Sequence, residues 1–502
     1  MNPTYKKLLA RWKDISALAS ASGLCGWDQE TMLPPRGIEA RSEQESALSG
    51  VIHEKVIDPE LGKMLRDLTE HPAGLTADQR ACVREWVRDY EHSVKLPPEL
   101  VREMARVTSL SQAAWIKARK ASDFKAFAPW LEKVIALKRR EADALGYKGE
   151  RYDALLDTYE PEMTVAQLDP IVQQVREGLV PIVHAISRSK AKISDELLRR
   201  RYPEADQEAL CKEIMTIVGL DTEAARLDRS AHPFCCGIAP TDVRITTRYD
   251  EHWLPGSLYG VIHESGHALY EQGLPAKHYG TPLAEAVSLG IHESQSRFWE
   301  NVIGRSRPFV RFIFPRLKKR FPLALGRADA EAFYRSINHV MPSAIRVEAD
   351  EVTYNMHVVL RYELEKGLMA GRIKVRELPA LWNERMKEYL GVTPKNDAEG
   401  VLQDTHWPQG LVGYFPTYLL GNLNAAQLWN ALKKDVRGAE AQVAKGELSQ
   451  ILGWLRKNVH CHGRRYGPAE LIERATGEKP TPRYFLEYLK EKYGEIYQID
   501  QF

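Results

Sequence analysis

The chain has 502 residues, 44% of them apolar and 27% charged, which is enough apolar material to bury a large core. Its 70 basic and 68 acidic residues leave a net charge of only +2, which argues against nucleic acid and anionic membranes as partners. Six cysteines are too sparse for a disulfide framework, and no apolar run is typical of a signal peptide or a membrane span, so we expect a cytoplasmic protein with free thiols.

Helical periodicity dominates the chain. A helix is predicted over 76–96, where Thr76 is a suitable N-cap, and another is predicted from Pro98, because proline is tolerated in a first helical turn. Further helices are predicted near 127–146, 164–187, 205–219, 330–339, 351–369, 376–390 and 424–436. The predicted fold class is therefore mostly α.

Residues 242–249 break the helical pattern. Val243, Ile245, Thr247 and Tyr249 alternate with charged or polar residues, and this period of two predicts a β-strand. A single strand is unstable, so it requires a partner strand. An exposed edge of this strand would also be able to accept an extended peptide, although we favour a purely structural interpretation.

The segment that follows contains the pattern H-E-x-x-H. A helix is predicted from a cap at Ser257 to Gly273, and it places His263 and His267 one turn apart on the same face. Two imidazoles in this arrangement are able to bind one metal ion. Glu264 lies beside them, where a carboxylate is able to act as the general base of a metallopeptidase.

A catalytic zinc ion usually has a third protein ligand, and the spacing does not provide a third histidine ten residues after His263. The next predicted helix, over 283–304, contains a second H-E-S triplet and offers four candidates. Glu293 is favoured and His292 is second, whereas Glu285 and Glu300 fit supporting or solvated positions better.

Several motifs in a fixed order resemble the carboxypeptidase Taq family of zinc metallopeptidases. They are WDQET at 27–31, HPF at 232–234, DVRIT at 242–246, HESGH at 263–267, HESQSR at 292–297, IRVEAD at 345–350, GVLQDTHW at 400–407 and GYFPTYLLGN at 413–422. The resemblance implies a single domain over 1–502, with helical lobes around a deep active-site cleft and a fold similar to angiotensin-converting enzyme and neurolysin. It also implies a homodimer that removes C-terminal amino acids from peptides, with broad specificity and proline disfavoured.

The resemblance also assigns roles to individual residues. It implies that His263, His267 and Glu293 bind one divalent metal ion, with Zn²⁺ first and Co²⁺ second, that Glu264 is the base, and that His292 is a neighbour. It implies that His406 and Tyr418 donate hydrogen bonds to the reacting carbonyl. The candidate substrate-binding residues are Arg346, Arg244, His232, Asp242, Gln403 and Asp404, and Asp404 is also suited to orienting a histidine.

Among the arginines, Arg346 is the first choice for the substrate's terminal carboxylate, because a guanidinium binds carboxylates bidentately. Arg244 and Arg297 rank behind it and are equally suited to structural ion pairs. Two other functions remain open at this point: an oligo-endopeptidase with the same metal chemistry, and an inactive metal-bound scaffold. Retention of Glu264 argues against the scaffold, since a structural zinc site needs no base.

Overall fold

The structure is a computed structural model that describes residues 2–500 and is about 70% helical. The helices before the sheet are α1 Pro3–Thr31, α2 Ile38–Val56, α3 Pro59–Glu70, α4 Ala77–Lys95, α5 Pro98–Ala121, α6 Phe124–Leu145, α7 Arg151–Tyr159, α8 Val165–Arg188 and α9 Glu204–Ile217. The helices after it are α10 Leu254–Gly273, α11 Leu289–Arg297, α12 Arg307–Arg320, α13 Pro322–Leu325, α14 Ala330–Ile337, α15 Tyr354–Met369, α16 Leu378–Leu390, α17 Phe415–Asp435, α18 Ala439–Val443, α19 Ser449–Asn458, α20 Pro468–Thr476 and α21 Arg483–Tyr497. The predicted mostly helical fold is confirmed.

Two predicted helix starts are confirmed to the residue: Thr76 caps α4, and α5 begins at Pro98. Thr76 and Gln79 form a capping box, in which each side chain accepts a hydrogen bond from the other residue's backbone N–H. Pro98 is the first residue of α5, where its missing N–H leaves no helical hydrogen bond unmade. The largest shift concerns the helix predicted from residue 424, which begins at Phe415 as α17.

The predicted strand is the central strand of a three-stranded sheet. β1 (Ala225–Arg229) pairs in parallel and β2 (Cys235–Ala239) pairs antiparallel with β3 (Asp242–Thr247). Both edges of β3 are paired, so an extended peptide has no free edge on this strand. Val243 and Ile245 of β3 are fully buried, and the sheet packs against α10.

The segment 283–304, predicted as one helix, is divided into three parts. A short 3₁₀ turn at Pro282–Ala284 is followed by irregular chain, then by α11, and then by a π-helix at Phe298–Gly304. The break before α11 is fixed by Ser288, whose hydroxyl accepts a hydrogen bond from the backbone N–H of Ile291. Glu285 therefore lies outside the helix.

The helix that carries H-E-x-x-H begins three residues before the predicted cap. Ser257 is wrong as a cap, because α10 starts at Leu254 and the Ser257 hydroxyl is buried against the side chain of Gln207. Gly273 is the last residue of α10, as predicted.

The helices enclose one large and two smaller hydrophobic cores. The larger core includes α6 to α10, α15, α17 and α21, whereas α1, α3 and α4 enclose a separate small core around Trp86. No helix of residues 2–500 is long and apolar enough to cross a membrane. The site described next lies within the larger core, where α10, α11 and α17 pack together.

Candidate metal centre

The two histidines of α10 point their Nε2 atoms toward one carboxylate oxygen. Glu293 Oε2 lies 3.7 Å from His263 Nε2 and 3.5 Å from His267 Nε2. One ligand atom from each of these three residues lies within 4.8 Å of the others. The structure thus brings together the three residues predicted as metal ligands, with two nitrogen donors and one oxygen donor.

Glu293 reaches this position because two glycines allow three helices to approach closely. A Cβ atom on Gly266 of α10 would lie 2.6 Å from the backbone oxygen of Gln295 in α11. A Cβ atom on Gly421 of α17 would lie 2.4 Å from Glu293 Cγ. Real Cβ atoms do not approach other atoms this closely, so glycine at both positions places α11 between its neighbours.

His263 is oriented by a carboxylate from the π-helix. Its Nδ1 lies 2.9 Å from Glu300 Oε2, and Arg297 and Arg305 each donate a hydrogen bond to Glu300 at 3.1 Å. Burial raises the pKa of Glu300, but the two arginines and His263 outweigh it and hold the pKa well below the usual range. Glu300 is therefore an ionised acceptor for His263 Nδ1–H, which leaves the Nε2 lone pair facing Glu293.

His267 is oriented by a second histidine. Its Nδ1 lies 2.6 Å from His292 Nδ1, and His292 Nε2 lies 2.7 Å from Glu271 Oε1. With one proton on each imidazole, His292 donates from Nε2 to Glu271 and accepts at Nδ1 from His267 Nδ1–H. His267 Nε2 is then free to bind a metal ion, and His292, the second candidate ligand, supports it.

The protonation states of His267 and Glu293 match those that a divalent metal ion requires, whereas burial of His263 is outweighed by Glu293 and Glu300, which raise its pKa. Burial lowers the pKa of His267 to about 3, so its imidazole is neutral near pH 7. Burial raises the pKa of Glu293, but Arg297 and the two ligand histidines hold it well below the usual range. A neutral imidazole and an ionised carboxylate are metal-binding forms, and this mixed nitrogen and oxygen set is well suited to Zn²⁺.

Glu264 lies between the metal centre and a cleft of about 750 Å³. Burial raises its pKa to about 7, although His263 acts in the opposite direction. A carboxylate with this pKa is able both to accept and to release a proton near neutral pH. Arg248, Trp253, Met341 and Val347 are among the residues that line the cleft.

The predicted substrate-binding motifs around 345–350 and 400–407 form one unit beside the centre. Gln403 accepts a hydrogen bond from the backbone N–H of Arg346 at 2.8 Å. His406 Nε2 lies 3.2 Å from the hydroxyl of Tyr418 on α17, and the Arg346 guanidinium lies 5.2 Å from the Tyr418 ring. Burial lowers the pKa of His406 to about 4, so this side chain is neutral near pH 7.

Comparisons with known proteins identify the family. The family model of the carboxypeptidase Taq (M32) metallopeptidases matches residues 7–493. The chain belongs to this family. It is 43% identical to thermostable carboxypeptidase 1 of Thermus thermophilus and 41% identical to that of Pyrococcus furiosus, in each case over 98% of this chain and 99% of the relative.

Solved structures agree with this assignment. The M32 carboxypeptidase from Deinococcus radiodurans superposes with a TM-score of 0.97 at 38% identity, over 99% of this chain and all of the other. Trypanosoma cruzi metallocarboxypeptidase 1 superposes with a TM-score of 0.94 at 37% identity, over 98% of this chain and 99% of the other. Membership of a metallopeptidase family implies a divalent metal ion, and the His263, His267 and Glu293 cluster is the group suited to hold it.

Three candidate substrate-binding residues of this M32 metallopeptidase lie around the sheet. Asp242 and Arg244 form a bidentate ion pair, and the Arg244 guanidinium stacks 4.4 Å from the ring of Trp27. His232 is exposed next to Pro233, which lines the cleft. Arg244 thus has a structural partner on two sides.

Other residues considered as ligands or carboxylate-binding groups also have partners. Arg297 donates hydrogen bonds to Glu293 and Glu300, and Glu285 accepts one from Arg464. Glu271 and Arg361 were not among the predicted site residues. Glu271 supports His292, and Arg361 is buried against Asp404, but neither belongs to a motif with recognisable spacing.

All six cysteines are free, as predicted.

Proposed function

We propose that this M32 metallopeptidase is a carboxypeptidase that hydrolyses the last peptide bond of peptides and uses Glu264 as its general base. The observation that carries the proposal is the meeting of three ligand-forming side chains and a buried carboxyl of raised pKa beside a cleft. Zn²⁺ is the proposed metal and Co²⁺ the second candidate. Broad specificity with proline disfavoured, a homodimer and a cytoplasmic location are parts of the proposal that rest on the family resemblance.

His263, His267 and Glu293 are the proposed metal-binding residues. A divalent ion supplies Lewis acidity, which makes hydroxide available near neutral pH and polarises a carbonyl group. Glu264 accepts the proton of the attacking water and passes it to the leaving amine, which its pKa of about 7 permits. His406 and Tyr418 donate hydrogen bonds to the carbonyl oxygen as negative charge develops on it.

Arg346 is the proposed partner of the substrate's terminal carboxylate. Its guanidinium lies beside Tyr418, so a carboxylate bound there would lie near the proposed carbonyl donors. A guanidinium that remains charged at all relevant pH values is suited to this task. This contact is what separates a carboxypeptidase from an endopeptidase, which has no need of a free terminal carboxylate.

Mass spectrometry of peptide products tests the proposal. A short peptide with a free C-terminus is incubated with the enzyme, with and without a chelator, and compared with the same peptide blocked as a C-terminal amide. We expect stepwise, chelator-sensitive loss of residues from the free acid only. Undiminished cleavage of the amide would instead support an oligo-endopeptidase, and binding of metal without hydrolysis of either peptide would support a scaffold.

The variant Glu264→Gln is the control for this experiment. It keeps the size of the side chain but removes the base, so we expect it to retain metal and to lose turnover. Continued hydrolysis by this variant would refute the role of Glu264.

A further inference from the structure

Asp404 lies between two buried arginines. Arg346 donates to Asp404 Oδ1 from Nε at 3.0 Å and from Nη2 at 2.8 Å, and Arg361 donates to Oδ2 from Nε at 2.6 Å. The Arg361 side chain is 0% exposed and that of Arg346 is 7% exposed. One carboxylate is therefore shared by two guanidinium groups, one of which is remote from solvent.

The charges around Asp404 do not cancel. Burial raises the pKa of Asp404, but Arg361 and Arg346 outweigh it and hold the pKa well below its usual range, so the carboxyl is ionised. Burial lowers the pKa of Arg361 to about 10, which leaves it protonated near pH 7. His357 and His406 are neutral, because burial lowers both of their pKa values. Two positive charges and one negative charge leave a net charge of +1.

Glu365, one turn after Arg361 on α15, makes its hydrogen bonds elsewhere. Glu365 has a pKa raised to about 7 by burial, and its oxygens accept hydrogen bonds from Tyr152, Trp407 and the backbone N–H of Gly413. The contacts with Trp407 and Gly413 fix both ends of the segment 407–413. None of these hydrogen bonds involves Arg346. Glu365 therefore does not pair with Arg346, which instead contacts Tyr354 and Tyr418.

Arg346 retains hydrogen-bonding capacity after its internal contacts are made. Besides its two bonds to Asp404, it donates from Nη1 to the hydroxyl of Tyr354 at 3.0 Å. A guanidinium has five N–H groups, so one N–H on each terminal nitrogen is left. Without Arg361, Asp404 would neutralise Arg346 and weaken its attraction for an anion.

We propose that Arg361 is a positioning residue for substrate binding: it shares Asp404 with Arg346 and so leaves Arg346 the positive charge that binds the terminal carboxylate. This proposal rests on the proposed function of Arg346. Arg361 itself touches no substrate, because it is fully buried behind Asp404. Its contribution is to the charge and orientation of Arg346.

Steady-state kinetics with a free-acid peptide tests the proposal on the full-length, metal-loaded enzyme. In Arg361→Met we expect KM to rise at least about tenfold while kcat changes much less, as follows from loss of one charge in a buried hydrogen-bonded cluster. Arg361→Lys keeps a cation beside Asp404 but not the planar guanidinium, so its KM should lie between that of the parent and that of Arg361→Met. Arg361→Met combined with Asp404→Asn restores the net charge of +1 and should recover part of the lost affinity.

Two further variants separate the possible outcomes. Arg176→Met removes an arginine that pairs with Glu363 away from the centre, so its KM should not change. Arg346→Met tests the proposed function: if its KM is unchanged, the carboxylate site itself is wrongly assigned. If Arg346→Met raises KM and folded Arg361→Met does not, only the role of Arg361 is overturned. Should Arg361→Met fail to fold, a KM as high as that of Arg346→Met in both Arg361→Lys and the double variant would overturn it.

Discussion

The ring of His267 is held between two consecutive residues of α11. His292 contacts its Nδ1 at 2.6 Å, and the carboxylate of Glu293 lies 3.5 Å from its Nε2. His292 thus sets the tautomer of His267, while Glu293 lies where a shared metal ion would be bound. The contacts of His267 thus indicate that His292 supports a ligand and that Glu293 is itself a ligand. Measured metal affinities of variants at these two positions distinguish the two roles.

At the residue scale, we predict that Glu293→Ala and His292→Ala differ in how strongly they bind metal. Glu293→Ala loses a ligand and should contain little metal after gel filtration. His292→Ala loses only the support of His267 and should keep metal with an affinity about 10–100-fold lower, as is typical of residues that orient a ligand. Competition with a metal-binding dye measures both affinities, and loss of metal only from His292→Ala would reverse the assignment.

At the scale of helices, the metal centre depends on how closely α11 approaches its neighbours. Gly266 of α10 and Gly421 of α17 both face α11, and a methyl group at either position would overlap atoms of that helix. Glu293 is therefore positioned by the backbone of α17 as well as by its own helix. A small change on α17 should alter the metal centre without touching a ligand.

We predict that Gly421→Ala both destabilises the protein and weakens metal binding. The added Cβ would lie 2.4 Å from Glu293 Cγ, so α11 and α17 must separate, and overpacking of this kind costs about 1–3 kcal/mol. Gly453→Ala in α19 is the matched control, since a Cβ there meets nothing within 4 Å and alanine favours a helix. Equal melting temperatures and metal affinities in the two variants would contradict this account of the helix contact.

Local sequence patterns predicted the parts of the site that depend on one helix. The spacing of His263 and His267 determines that both lie on one face of α10, whatever surrounds it. The predicted start of α10 at Ser257 was wrong, because the Ser257 side chain is buried against Gln207 and does not cap the helix. This contact joins residues 50 positions apart. The interruption before α11 was also missed, since periodicity over 283–304 does not reveal that 285–288 leave the helix.

Contacts between distant segments could not be predicted from the spacing of residues. The motifs placed Arg346 and Asp404 among the candidate substrate-binding residues, but not in contact with each other across 58 positions. Arg361 belongs to a helix that is buried on nearly all sides, so no polar face marks it as important. Its partner is visible only after α15 and the segment around residue 404 are packed together.

At the scale of the whole molecule, the N-terminal helices are joined to the rest by a buried charge cluster. Arg464, which follows α19, binds Glu85 and Asp89 of α4 and also Glu285, with distances of 2.8–3.0 Å. Its side chain is only 13% exposed. Because α1, α3 and α4 have their own small core, this cluster is one of the contacts that hold them against the larger core, near the segment leading to α11.

We predict that Arg464→Gln loosens the N-terminal helices and leaves the metal ligands in place. Removing the cation leaves three carboxylates close together, and we expect a loss of roughly 2–4 kcal/mol in the free energy of unfolding, since the arginine is buried but its partners are partly exposed. Urea unfolding measures this loss, and limited proteolysis should show faster cleavage within 2–95 at unchanged metal content.

Arg229→Gln is the control, because its ion pairs with Glu204 and Glu208 are exposed and should contribute less than about 1 kcal/mol. If Arg464→Gln is as stable as this control and is cleaved no faster, the N-terminal helices are held by their apolar contacts, and the charge cluster contributes little to their attachment.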